Sequence, residues 1–351
     1  AYNLLNILKK KKNLKVEGVC GKKAQKYFTK KYYDISDFKS MGIFEIIFSI
    51  FKYIKIINHL NRIIIKNNYD LILTIDSPDF NYPLAKKIKK NFYKNKIIHI
   101  VAPSVWAWRP YRARKFANVF DELFTLFKFE NKYFTKYNLK TTFIGHPIFH
   151  IPTYNYKNKK FIAFLPGSRE GEVLKLFRYY EIAYKILLDN KDINLDIFIP
   201  TLPHLEKIIK TKTKEWKIKT VVTSKSKLID ESYKKVKLSL TCSGTATLEI
   251  AKRNIPQLII YKFNFMTTII GKMLVNVKYA NLINIFSNKM IIPELTNFNL
   301  NDFNFIKEFK LLILDEKRNI QQVNKINKYL KYFENNKSPY QISSDKIIKY
   351  L

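Results

Sequence analysis

Three loops of this chain carry residues whose types and spacing suit proton and phosphate chemistry. In Ile75-Asp76-Ser77-Pro78-Asp79-Phe80, two carboxylates follow an apolar run and Pro78 stiffens the turn between them. A carboxylate held there suits a general base acting on a substrate hydroxyl, and Asp76 is the candidate. The alternative is that Asp79 caps the helix that follows while Asp76 bonds loop amides. A metal role needs more oxygen or nitrogen ligands than this loop offers, so no metal site is expected. The histidines at 59, 99, 146, 150 and 204 are scattered, which argues against a catalytic pair, and His99 lies inside an apolar run that reads as core.

The chain has only 8 glycines, so their placement is informative. Gly167 and Gly244 each fall between an apolar run and a helical stretch, where a small residue lets backbone N–H groups approach an anion at a helix N-terminus. In Leu165-Pro166-Gly167-Ser168-Arg169, the arginine adds a forked phosphate partner that lysine does not replace. In Cys242-Ser243-Gly244-Thr245-Ala246, two hydroxyls flank the glycine, and Glu249, one turn on, suits a ribose diol beside the phosphates. Plain strand–turn–helix caps built on Ser and Thr would look the same. Neither Gly-x-Gly-x-x-Gly nor Gly-Lys-Ser/Thr occurs, which sets aside dinucleotide-binding and P-loop readings.

The elements that must position these loops alternate. Apolar runs at 71–75, 96–101, 123–127, 142–144, 161–165, 195–199, 220–223, 238–241 and 257–261 are bounded by turn residues and separated by helical stretches. Such runs predict parallel sheets buried on both faces, hence an α/β chain of two doubly wound domains with a cleft between them. Ligands of such sheets sit beyond the carboxyl ends of the strands, which singles out the loops above together with Ser104 and Trp106 after the 96–101 run. The irregular stretch 147–160 marks the boundary. The expected domains are 1–152 and 153–335, with a helix over 336–351 packing back on the first.

Residues 41–65 read as a helix whose polar positions, Glu45, Ser49, Lys52, Lys55, His59 and Arg62, recur every three or four residues. The remaining arc, roughly 220° wide, is Ile and Phe, including Phe44, Phe48 and Phe51, whereas a surface helix needs an apolar stripe only somewhat over ~100° wide. Either the helix is buried on nearly all sides, or part of it meets a bilayer or acyl chains.

With 64 Lys and Arg against 28 Asp and Glu, the formal charge is +36, and only eight of the basic residues are arginine. The charge is spread along the whole chain in a Lys-, Asn- and Ile-rich composition, so nucleic acid is not the expected partner. An anionic membrane surface or phosphorylated substrates suit it better. Two cysteines, Cys20 and Cys242, make neither a disulfide framework nor a zinc motif, which fits a reducing compartment. No apolar stretch is long enough to span a bilayer, and no signal peptide opens the chain.

The motifs then fit one family. Ile75-Asp76-Ser77-Pro78-Asp79-Phe80-Asn81 resembles I-D-[AS]-P-D-F-N, and residues 103–109 match P-S-V-W-A-W-R in full. Residues 143–147 resemble F-[IV]-G-H-P, and residues 165–169 L-P-G-S-R, with Glu172-Val173 following in register. Residues 243–249 resemble S-G-T-x-x-L-E, Met41-Gly42 and Glu45 fit V-M-G-x-x-E, Asn281–Asn284 fits [SN]-L-x-N, and Pro293-Glu294-Leu295 echoes P-E-L. In order over nearly the whole chain, these resemble the lipid-A-disaccharide synthase family.

The resemblance implies a GT-B glycosyltransferase of two Rossmann-like domains. It would invert configuration while moving 2,3-diacylglucosamine from UDP to the 6-hydroxyl of 2,3-diacylglucosamine 1-phosphate, with no metal or other cofactor. By position, Asp76 is similar to the family's base, Arg169 and Asn284 to its UDP-site residues, and Glu249 to a ribose ligand. Gly167, Ser168, Ser243, Gly244 and Thr245 would complete the donor site. Met41, Phe44, Phe48, Phe51, Ser104 and Trp106 would face the acceptor, its acyl chains or the membrane. The expected setting is cytoplasmic, on the inner membrane of a Gram-negative bacterium, with a second copy of the chain as a candidate partner.

Departures from the pattern are Lys128 and Ile283 where the family has Pro, Cys20-Gly21-Lys22 for its G-G-P, and no Gln after Pro293-Glu294-Leu295. The family also opens with a strand and a G-E-x-S-G-D loop, and on this resemblance the present chain starts at or after that loop. The competing readings are another GT-B UDP-sugar enzyme, such as an epimerase, and an inactive lipid- or nucleic-acid-binding relic.

Overall fold

A computed structural model describes residues 1–38, 43–91, 93–151, 153, 159–262, 278–297 and 299–351, excluding the side chains of 43–50. Met41 and the side chains of Phe44 and Phe48 therefore lie outside the described residues, as does Pro152 at the expected domain boundary. The chain forms two compact units, Ala1–Pro147 with Phe333–Leu351, and Ile148–Tyr332.

The first unit begins with α1 (Tyr2–Lys11), β1 (Glu17–Cys20), β2 (Lys30–Asp34) and α2 (Ile43–Asn67). Then follow β3 (Leu71–Ile75), α3 (Pro78–Lys90), β4 (Lys96–Ile100), α4 (Arg112–Ala117), β5 (Glu122–Thr125), α5 (Asn131–Thr135) and β6 (Lys140–Phe143). Strands β3 to β6 pair in that order, all parallel, while β1 and β2 form a separate parallel pair. Successive side chains on a strand point to opposite faces, and here both faces are covered. Ile97 joins one buried cluster with Ile72 and Leu123; its neighbour Ile98 joins another with Ile100 and Phe124.

The second unit contains β7 (Phe161–Leu165), α6 (Glu170–Asp189), β8 (Asp196–Pro200), α7 (Pro203–Lys212), β9 (Thr220–Thr223), α8 (Ser226–Tyr233), β10 (Val236–Cys242), α9 (Thr245–Lys252) and β11 (Gln257–Tyr261). After these come α10 (Leu282–Ser287), β12 (Glu294–Thr296), α11 (Asp302–Leu314) and α12 (Glu316–Leu330). The six strands run in the order β12-β11-β10-β7-β8-β9, every pair parallel. Strand β7 is buried along its whole length: Ile162 and Phe164 face one core cluster, and Phe161, Ala163 and Leu165 face another. The α/β class and the parallel sheets follow from such doubly buried apolar runs. The edge strands β1, β2 and β12 have no such run, so the apolar pattern does not predict them.

The last helix, α13 (Pro339–Ile348), belongs to the first unit. Its Ile347 shares a buried cluster with Leu4, Leu5 and Leu8 of α1, and Asp345 pairs with Lys11. Among the described residues no helix is long and apolar enough to cross a membrane. Helix α2 divides its apolar residues between two surroundings: Ile56 and Leu60 are buried, whereas Phe51 is 63% and Ile54 47% exposed.

Candidate active site

In the first unit the Asp76 loop is built by backbone geometry. Strand β3 ends at Ile75, and the N–H of Asp76 still donates to the Ile100 carbonyl of β4 at 2.8 Å. The chain then turns through two consecutive left-handed residues, Asp76 at φ +54° and Ser77 at φ +47°, before Pro78 opens α3. Left-handed non-glycine residues cost about 1–3 kcal/mol each and concentrate where function demands them. Asn81 fastens the turn, its Nδ2 donating to the Asp76 carbonyl at 2.6 Å. The Asp76 side chain is exposed, and among the described residues its carboxylate makes no hydrogen bond or ion pair. It therefore does not bond loop amides, and it is open to an incoming hydroxyl. Asp79 is not the helix cap either; it lies in the first turn of α3, and Arg112 donates to its carboxylate.

Nearby loops of this unit hold the other expected residues. Ser104 is exposed, and its carbonyl accepts from the N–H groups of Ala107 and Trp108, both at 3.0 Å. Trp106 is half-buried and meets Phe129 edge-on at 5.6 Å between ring centres. Beside them Glu130, which sequence reasoning passed over, is buried and accepts from the N–H groups of Phe127 at 3.1 Å and Leu126 at 3.2 Å. Burial pushes its carboxyl up to about 7, against the pull of those bonds. His99 is wholly buried and accepts or donates at 2.7 Å to the Thr74 hydroxyl, and burial holds its pKa down at about 3. A core histidine is what the apolar run around it predicts.

In the second unit the two glycine loops emerge side by side, because β7 and β10 are adjacent and parallel with Leu165 opposite Thr241. Gly167 has φ +120° and Gly244 φ +147°. Their surroundings differ. A Cβ on Gly244 would meet nothing within 4 Å, whereas one on Gly167 would fall 2.9 Å from Glu172 Cβ. The room that glycine makes at 167 is filled by the protein's own carboxylate. Glu172 Oε2 accepts from the N–H groups of Ser168 at 3.2 Å and Arg169 at 3.3 Å, and Oε1 accepts from Arg169 Nη1 at 2.6 Å. Ser168, Arg169 and Thr245 are exposed.

The Ser243–Thr245 loop is held from behind. Thr247 Oγ1 donates to the Gly244 carbonyl at 2.8 Å and lies 2.7 Å from Asn281 Nδ2; the Ser243 hydroxyl donates to the Ala280 carbonyl at 3.5 Å. Asn281 caps α10, and its own N–H and that of Ala280 both donate to the Glu294 carboxylate at 2.9 Å. Burial raises the Glu294 carboxyl above its usual range while these N–H groups lower it. Thr247, Asn281 and Glu294 were not assigned such a role from sequence; the only signals were an Asn before a helix and the Pro293-Glu294-Leu295 string.

Two expected donor-site residues are differently placed. Glu249 accepts from Arg253 at 2.8 Å, so it is already oriented by a cation. Asn284 is wholly buried: its Oδ1 accepts from Ile291 N–H at 2.8 Å and Ile292 N–H at 2.9 Å, and its Nδ2 donates to the Ile292 carbonyl at 2.7 Å. That geometry makes Asn284 a clasp on the 291–292 backbone, with no surface for direct contact with UDP. Among the described residues no three His, Cys, Asp or Glu side chains gather as metal ligands.

The comparisons agree with this architecture. Residues 1–348 match the sequence model of the family described as lipid-A-disaccharide synthetase. Proteins named lipid-A-disaccharide synthase from Rickettsia bellii (strain OSU 85-389) and Rickettsia prowazekii (strain Madrid E) are each 35% identical. The alignments cover 93% of this chain and 88% of the first relative, and 99% and 94% for the second. Among solved structures, S. aureus MnaA with UDP superposes with a TM-score of 0.61 at 15% identity, covering 99% of this chain and 90% of that one. The UDP-GlcNAc 2-epimerase from Neisseria meningitidis bound to UDP-GlcNAc gives 0.57 at 14% identity, covering 96% and 99%. These likenesses carry the fold, GT-B with two Rossmann-like domains. The chain belongs to the lipid-A-disaccharide synthetase family and is a glycosyltransferase of lipid A synthesis.

Proposed function

We propose that the protein transfers 2,3-diacylglucosamine from UDP to the 6-hydroxyl of 2,3-diacylglucosamine 1-phosphate, with inversion, releasing UDP and a β-1,6-linked disaccharide. Asp76 takes the proton from the acceptor hydroxyl as its oxygen bonds to the anomeric carbon and the bond to UDP breaks. The loops at 167–169 and 243–245 receive the diphosphate, where N–H groups at a helix N-terminus and the Arg169 guanidinium stabilise the charge that develops on it. Glu249 receives the ribose hydroxyls. Asn284 serves the site by holding the backbone beside it. Acyl chains on both substrates give the exposed residues of α2 a use at an anionic membrane surface, and the proposed setting is the cytoplasmic face of a Gram-negative inner membrane.

The observation that carries this reading is the exposed Asp76 carboxylate, fixed on left-handed backbone and without a partner among the described residues. Asp76→Asn tests it. Turnover should fall by about 10²–10⁴ while UDP binding stays unchanged, because a general base acts only on the acceptor proton. Turnover near wild type would remove Asp76 from the role and leave Asp79 as the next carboxylate to try.

A further inference from the structure

The phosphate-type cradle at the start of α6 has an anion of its own. Three donors converge there: the N–H groups of Ser168 and Arg169, and Nη1 of Arg169. All three bond the Glu172 carboxylate. In an ordinary capping box this carboxylate accepts only from the N–H of the N-cap residue, here Arg169. Here the same carboxylate also takes the preceding N–H and the guanidinium, the set that a phosphate would use. Gly167 is what lets it fold over the loop, since a side chain at 167 would collide with Glu172 at 2.9 Å. The Arg169 side chain is 79% exposed while that of Glu172 is 18% exposed, so a ligand from solvent reaches the guanidinium first.

We propose that Glu172 competes with the donor's diphosphate for these three donors, so that nucleotide binding displaces the carboxylate and product release is helped by its return. This rests on the reading that the 167–169 loop receives the diphosphate. In chemical terms Glu172 is a negative charge beside the leaving group's own charge. It lowers affinity for UDP and leaves the uridine contacts untouched.

Calorimetry on the full chain with UDP and uridine, using Glu172→Gln and Arg169→Ala, tests this. Glutamine keeps the capping acceptor but loses the charge. UDP should bind the Glu172→Gln variant about two- to fivefold more tightly, the scale of a partly exposed ion pair, with uridine affinity unchanged. Arg169→Ala should weaken UDP. If Arg169→Ala leaves UDP affinity intact, the diphosphate reading of this loop fails and the competition with it. If Arg169→Ala weakens UDP but Glu172→Gln leaves it equal or weaker, the loop reading stands and the competition is overturned, with Glu172 then orienting Arg169. Should Glu172→Gln not fold, Glu172→Asp, one methylene shorter, carries the same test: tighter UDP supports the competition, and equal or weaker UDP overturns it.

Discussion

Arg253 grips Glu249 with two nitrogens on one oxygen: Nη2 at 2.8 Å and Nε at 3.2 Å from Oε1. Arg253 is itself 3% exposed, and its guanidinium carbon stands 4.2 Å from the centre of the Tyr233 ring. The carboxylate is thus oriented by a cation that cannot move far. If Glu249 is the acceptor for a ribose diol, as proposed, this preorientation leaves it little rotamer freedom to lose on binding.

Glu249→Gln should therefore weaken UDP about tenfold, the scale of a lost hydrogen bond to a charged group. The same variant should bind 2′,3′-dideoxy-UDP as wild type does, because that nucleotide lacks the hydroxyls. Titration calorimetry with both nucleotides checks this, and equal losses for the two would place the Glu249 effect in folding instead of ribose contact.

Asn284→Ala should act on stability first. It strips the Ile291 and Ile292 N–H groups and the Ile292 carbonyl of their side-chain partner in a buried setting. The Ile291 N–H keeps the Lys289 carbonyl at 3.0 Å, and leaving the two Ile292 groups unsatisfied costs about 1–3 kcal/mol each, so a loss of about 2–6 kcal/mol is expected. Urea unfolding measures it, and UDP affinity of the folded variant should stay within about two- to threefold, the roughly 0.5 kcal/mol scale of a change that touches no ligand. A large loss of UDP binding with normal stability would restore direct contact.

What the sequence made legible follows from how strongly each residue is constrained by its neighbours. Doubly buried strands such as Phe161–Leu165 must be apolar throughout, so they and the loops at their carboxyl ends stood out. Strand Glu294–Thr296 has three residues and a buried Glu, with no apolar run to announce it. Asn284 aligned with a ligand position, but only packing could reveal that its amide bonds inward. Glu172 was visible as a residue in register. That it folds back over Gly167 depends on a left-handed turn that composition does not encode. In α2, periodicity gave the excess of apolar surface, and the structure shows how it is shared between core and solvent.

The Glu130 carboxyl, raised to about 7 by burial, gives stability a pH dependence with a definite sign. Between the ordinary glutamate range and about 7 the folded protein keeps a proton that the unfolded chain has lost. The contribution is thus full at low pH and declines as pH rises through that window. Glu130→Gln preserves the acceptor for Phe127 and Leu126 and removes the titration. Relative to wild type it should gain on the order of 3 kcal/mol at pH 8 and little at pH 4.5. Thermal melts across that range check it; parallel curves for the two proteins would assign the window to other groups.

The exposed part of α2 makes the membrane proposal testable without disturbing the core. Phe51 and Ile54 are 63% and 47% exposed and stand next to the exposed Lys52 and Lys55. Residues this exposed change stability by about 0.5 kcal/mol or less when replaced, so Phe51→Ser with Ile54→Ser should fold normally. Inserting the two side chains into a bilayer contributes about 1 kcal/mol each, given that roughly half of each is left to bury. The double variant should then bind vesicles of phosphatidylcholine and phosphatidylglycerol about 10–30-fold more weakly. Salt should act alike on both proteins, since the long-range attraction comes from the formal charge of +36 and is screened within about 10 Å at 0.1 M salt. Co-sedimentation measures both effects. Equal binding by wild type and folded variant would mean that charge alone docks the protein and that these residues serve the acyl chains or nothing at the bilayer.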